Sequence, residues 1–200
     1  MPKLIVVTGI DGSGKTTLVE ALAQNIPNSV IANAWQCFGD NQPLFKSKEH
    51  VYEYMQTLTP NSRVLFLAHA VRYGLEKALA TNAETVLIDG YYFKYFGPEL
   101  ALGADLNLIK GLASSFPKPD KIICLELSPA DASARKENVF TAYECGYNMH
   151  ITPATFMSFQ NQVLEQRENF NTDNWIYISA ENDIPTLANN TLERLAGSLG

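Results

Sequence analysis

Short apolar runs alternate with longer stretches of helical period along this chain. Residues 4–7, 85–88, 122–125 and 175–178 are almost continuously apolar, and a shorter run at 30–32 joins them. A strand that is apolar on both sides is one buried on both faces, the condition of a parallel sheet covered by helices. Between the runs lie patterns of period 3.6, at about 16–26, 51–58, 61–81, 98–113, 131–137, 153–170 and 184–199. In the longest, Asn61 stands as N-cap, and Val64, Leu67, Ala68, Val71, Leu75, Ala78 and Leu79 form the core stripe. Phe66 and Arg72 fall on flanking stripes, from which both can reach a cavity beside the sheet. The alternation predicts an α/β fold of three layers, with a five-stranded parallel sheet flanked by helices. The 200 residues suit one domain, 1–200.

The first strand runs directly into Gly9-Ile10-Asp11-Gly12-Ser13-Gly14-Lys15-Thr16-Thr17. This fits G-x-x-x-x-G-K-[ST], the phosphate-cradling P-loop, with strand before and helix after. Gly9, Gly12 and Gly14 let backbone N–H groups turn inward at a helix N-terminus, which is an anion site. Lys15 adds a point charge for the β- and γ-phosphates of ATP, and the Thr16 hydroxyl can complete a Mg²⁺ shell. Asp11 is unexpected inside an anion-binding loop. It either points away from the triphosphate towards acceptor hydroxyls or a cation, or is a solvated loop carboxylate.

Asp89 ends the apolar strand 85–88, at the carboxyl edge where such sheets bind ligands. It can hold Mg²⁺ directly or through water, or can simply begin a turn with Gly90. Tyr91 and Tyr92 follow, either as core and rim or as a surface for a base or sugar. Arg135 and Lys136 close a short helix before a segment with few periodic apolar residues, about 136–152, which reads as an exposed lid. The pair is either solvated or comes down over phosphates. Ala180, in the turn after the last strand, can wall a purine ring.

Composition narrows the partners. A hydrophobic fraction of 46% with 18% charged residues is that of a soluble globular chain. A net charge of −6 argues against a broad nucleic-acid or anionic-membrane surface. The three cysteines, Cys37, Cys124 and Cys145, have no metal-ligand spacing. With no signal peptide and no membrane-length apolar run, a reducing cytoplasmic setting is expected.

Over nearly its whole length the chain resembles the thymidylate kinase family of nucleoside monophosphate kinases. The resemblance rests on the P-loop with its acidic Asp11, on Leu87-Ile88-Asp89-Gly90-Tyr91-Tyr92, on Leu125-Glu126-Leu127-Ser128-Pro129 with Arg135, on Ile176-Tyr177-Ile178-Ser179-Ala180, and on Leu65-Phe66-Leu67-Ala68. It implies transfer of the γ-phosphoryl of ATP·Mg²⁺ to a nucleoside monophosphate, with dTMP favoured, and a homodimer. It also implies roles: Asp11 on the acceptor sugar, Phe66 stacked on the base, Tyr91 or Tyr92 crowding the sugar, and Arg135 and Lys136 over the phosphates. The chain departs from the family at several clamps. Gly90 stands where the Asp-Arg-Tyr segment has its arginine. The Arg-Glu-Pro stretch is absent. Ala70 stands where the base-reading arginine belongs, and Arg72, two residues on, is the expected replacement. These losses leave open another acceptor, such as a deoxynucleoside or other nucleotide, or a nucleotide-binding regulatory protein with weak turnover.

Overall fold

The computed structural model describes residues 1–38, 45 and 47–197. Its sheet has five parallel strands: β1 (Lys3–Gly9), β2 (Ser29–Asn33), β3 (Thr85–Asp89), β4 (Lys121–Glu126) and β5 (Trp175–Ser179), in the order β2-β3-β1-β4-β5. Alternate residues of the central strands feed two separate cores. Leu4, Val6, Ile88 and Ile122 pack on one side, and Ile5, Val7, Leu87 and Ile123 on the other. That two-sided burial is why these strands read as continuous apolar runs.

Eight helices join the strands among the described residues: α1 (Lys15–Asn25), α2 (Lys48–Gln56), α3 (Pro60–Leu79), α4 (Tyr91–Ala101), α5 (Leu106–Ser114), α6 (Pro129–Arg135), α7 (Pro153–Glu165) and α8 (Ile184–Gly197). The α3 stripe is buried as the periodicity predicts, through Val64, Leu67, Ala68, Val71, Leu75 and Ala78. Its N-cap, however, is Thr59, with Pro60 in the first turn. Asn61 instead accepts a hydrogen bond from the backbone N–H of Asp105, 2.8 Å away.

The larger correction concerns residues 91–113. A single helix from Pro98 is expected, but two helices form. The first starts at Tyr91 and contains Pro98, and Asp105 caps the second by accepting from the N–H groups of Asn107 and Leu108. The first helix is buried almost all round, so it shows no polar face from which a period could be read. Residues 39–48, whose sequence reads as loop, lie mostly outside the described residues. No described helix is long and apolar enough to cross a membrane.

The two strands beside β1 leave in opposite directions along the sheet, so the carboxyl end of β1 is the switch point where such sheets open a crevice. The P-loop follows there.

Candidate active site

Gly14 caps α1 in a left-handed conformation, φ 90°. Ser13 is fully buried, and its hydroxyl, packed close to Gly9, has no hydrogen-bond partner. The Lys15 ammonium arches back over the loop, donating to the Ile10 carbonyl at 2.6 Å and lying 3.9 Å from Asp11. Burial, and then repulsion from Lys94, pulls Lys15 down to about 8.

Parallel pairing of β1 with β3 sets Val7 opposite Asp89. The Asp89 carboxylate thereby meets α1, where it accepts a hydrogen bond from the Thr16 hydroxyl at 2.7 Å. A hard hydroxyl and a carboxylate side by side at a phosphate cradle suit Mg²⁺. Among the described residues no group of three His, Cys, Asp or Glu is placed to hold a metal ion by itself.

Asp11, Thr16 and Asp89 also form one end of a cavity of about 460 Å³. Trp35, Tyr52, Leu67 and Tyr95 give it flat apolar surfaces. Its cations are Lys48, Lys94 and Lys136. Lys94 lies 3.2 Å from the Asp11 carboxylate. Burial works against the charge of Asp11, yet Lys94 and Lys15 hold its carboxyl below the ordinary range. Burial likewise opposes the Lys94 charge, but Asp11, ahead of Tyr95 and Asp89, keeps that ammonium above the ordinary lysine value. Burial pushes the hydroxyls of Tyr52 and Tyr95 up to about 12, so both remain neutral donors.

The segment after α6 lies against the loop. A Cβ on Gly12, at φ +83°, would stand 2.8 Å from the Ala132 carbonyl and 3.2 Å from Lys136 Cδ. Lys136 pairs with Glu144 at 3.0 Å, and the Arg135 guanidinium donates to the carbonyl of buried Ala180. The buried side chain of Gln160, on α7, ties both sides together. It accepts from the Asp11 N–H at 3.2 Å and donates to the Glu144 carbonyl at 3.0 Å. The segment expected to be an exposed lid is thus anchored in its middle, where Tyr143 and Cys145 are buried, while Val139 and Met149 remain exposed.

Four residues expected at the acceptor do not line this cavity. Phe66 is turned from the cavity and stacks on Phe38 at 5.4 Å, with Tyr54 beside it; Leu67, one helical step round, faces the cavity instead. Arg72 lies on the outer side of α3, held by Glu76 at 2.6 Å and the Ser115 carbonyl at 3.1 Å. Tyr91 is buried with its hydroxyl donated to the Pro117 carbonyl at 2.9 Å, and Tyr92 packs among Phe93, Phe96 and Phe116. Both tyrosines are core because α4 begins at 91, which turns Lys94 and Tyr95 to the cavity in their place. Gly9, at the end of β1, would bring a Cβ to 2.8 Å from Ser13 Oγ, and Thr17 is exposed on α1.

The thymidylate kinase family model matches residues 7–190. The chain belongs to the thymidylate kinase family. A probable thymidylate kinase 1 of Saccharolobus solfataricus is 30% identical over 145 residues, covering 69% of this chain and 72% of that protein. A probable thymidylate kinase of Sulfurisphaera tokodaii is 24% identical over 195 residues, covering 96% and 95%. The solved thymidylate kinase of Candida albicans shares the fold, with a TM-score of 0.70 at 18% identity over 98% of this chain and 92% of that one. As a member of this family the protein is an ATP-dependent nucleotide kinase, a phosphotransferase. This family member has Gly90 in the left-handed region, φ 82°, at the head of α4.

Proposed function

We propose that this kinase transfers the γ-phosphoryl of ATP to dTMP at the cavity beside Asp89, giving dTDP. The reading is supported by family membership, and by one observation above all: the loop threonine and the strand-end aspartate are hydrogen-bonded to each other and both line a cavity of about 460 Å³. Phosphoryl transfer asks for in-line positioning and charge stabilisation rather than covalent help.

Lys15, Ser13 and the loop amides hold the donor phosphates. Thr16 and Asp89 hold Mg²⁺, which when bound neutralises charge on the phosphates. Asp11 faces the cavity and orients the acceptor sugar. Trp35, Tyr52 and Leu67 enclose the base in place of Phe66. Arg135 steadies the turn at Ala180 on the adenine side, and Lys136 reaches the cavity from above. The acceptor phosphate is itself ionised, so no strong general base is needed. The homodimer implied by the resemblance belongs to the same proposal, as does a cytoplasmic setting.

Coupled ADP release over a panel of nucleosides and nucleoside monophosphates tests the acceptor. We expect dTMP to give the highest kcat/KM. No turnover with dTMP alongside turnover with another acceptor would reassign the substrate. ATP binding with no turnover on any acceptor would instead favour a regulatory nucleotide-binding role.

A further inference from the structure

The geometry points to Lys94 as the group that grips the acceptor phosphate and the phosphoryl in transit, entering from one helical turn beyond Gly90. This rests on the kinase reading above.

The placement follows from backbone alone. Side chains on a helix lean towards its N-terminus, so a residue four positions in covers the first turn. The Lys94 N–H bonds to the Gly90 carbonyl at 3.2 Å, which fixes that turn. A Cβ on Gly90 would stand 2.7 Å from Lys94 Cδ and 3.2 Å from its Cβ. The methylene stem of Lys94 therefore fills the volume that a side chain at position 90 would need. Glycine at 90 and lysine at 94 are one arrangement: the bare Cα lets the stem lie down, and the stem carries the ammonium forward to Asp11.

The end point matters as much as the path. The ammonium sits 3.2 Å from Asp11, on the P-loop, and it lines the cavity together with Asp89. It stands at the seam between the loop that takes the donor phosphates and the space that takes the acceptor. The other cations have partners away from the loop–cavity seam. Lys15 turns to the Ile10 carbonyl, Lys136 to Glu144, and Lys48 lies 4.9 Å from the Trp35 ring. Among the described residues, no arginine lines the cavity. Arg63 is bound to Glu99, and Arg135 to Ala180. Asp11 holds the ammonium in register until phosphate oxygens take its place. A fixed cation at the point where charge passes between two phosphates is the kind of group that lowers the barrier in a water-poor site.

The test uses two variants that both keep the stem over Gly90, Lys94→Met and Lys94→Arg, with ATP affinity measured separately from turnover. We expect Lys94→Met to stay folded at the assay temperature, with a lowered melting point from the Asp11 carboxylate it leaves behind, and to bind ATP within about three-fold. It should lose on the order of 100-fold in kcat, with a raised acceptor KM. Lys94→Arg should retain at least about ten-fold more turnover than the methionine variant, because charge rather than packing is restored. Wild-type-like kcat in Lys94→Met, or equal losses in the two variants, would overturn the assignment. The assays use whichever acceptor the wild type phosphorylates, so a wrong choice of dTMP fails separately from a wrong role for Lys94. A wild type with no turnover on any acceptor overturns both.

Discussion

Lys15 is the side chain on which donor binding turns. Its ammonium is buried against a backbone carbonyl and has Asp11 near it, so removing it leaves the phosphate end of the loop without its charge. We expect Lys15→Ala to lower kcat/KM by at least about 100-fold in the ADP-release assay; activity within a few-fold of wild type would remove this loop from the mechanism. Arg72→Ala makes the opposite test. Its guanidinium is half exposed and tied to Glu76 on the same helix, an arrangement worth about 0.3–0.5 kcal/mol. Acceptor KM should stay within about two-fold, whereas a ten-fold rise would place Arg72 back at the substrate. The P-loop and Asp89 are legible in the sequence because contiguous residues at set spacing carry their chemistry. Arg72 misleads because position on a helix stripe says which side a residue lies on, not what it meets there.

Helix α4 shows the same limit at the scale of an element. An aromatic run from Tyr91 to Phe96 followed by Gly97-Pro98 looks like a coil leading into a helix. Burial on every side removes the polar face that would have revealed its period, and Pro98 suggests a start where the helix in fact continues. Once the helix is seen to begin at 91, Lys94 and Tyr95 come to the cavity without further assumption. Gln160 is equally silent in the sequence, since nothing local marks a glutamine that will bridge the phosphate loop and the segment carrying Glu144. Gln160→Leu removes both of its hydrogen bonds, leaving the Asp11 N–H without this partner. A stability loss of about 1–3 kcal/mol is expected from urea unfolding, together with faster amide exchange at residues 140–150. Unchanged exchange there would mean that the segment is held by its own packing.

For the whole molecule, the weak point lies away from the substrate. Arg63 on α3 and Glu99 on α4 form an ion pair at 2.8 Å, both buried, with the Tyr147 ring 4.8 Å from the guanidinium. This contact joins two helices on one side of the sheet to the segment after α6. Burial pushes Glu99 up to about 7 from its ordinary 4.5, with Arg63 drawing it back. A carboxyl raised by folding favours the folded state while protonated. Its contribution is therefore full below pH 4.5 and is lost as pH rises through about 7. Glu99→Gln should flatten that part of the pH–stability curve in urea melts at successive pH values, and an unchanged slope would exclude Glu99 as its source. Arg63→Ala should be more severe, about 3–5 kcal/mol, since it strands a buried carboxylate.

The cations that line the cavity among the described residues, Lys48, Lys94 and Lys136, are amines rather than guanidinium groups. Amines can be acetylated and guanidinium groups resist it, so each such event erases a charge that an arginine would have kept. Lys94, held protonated by the Asp11 carboxylate, is guarded against such acylation by its own partner.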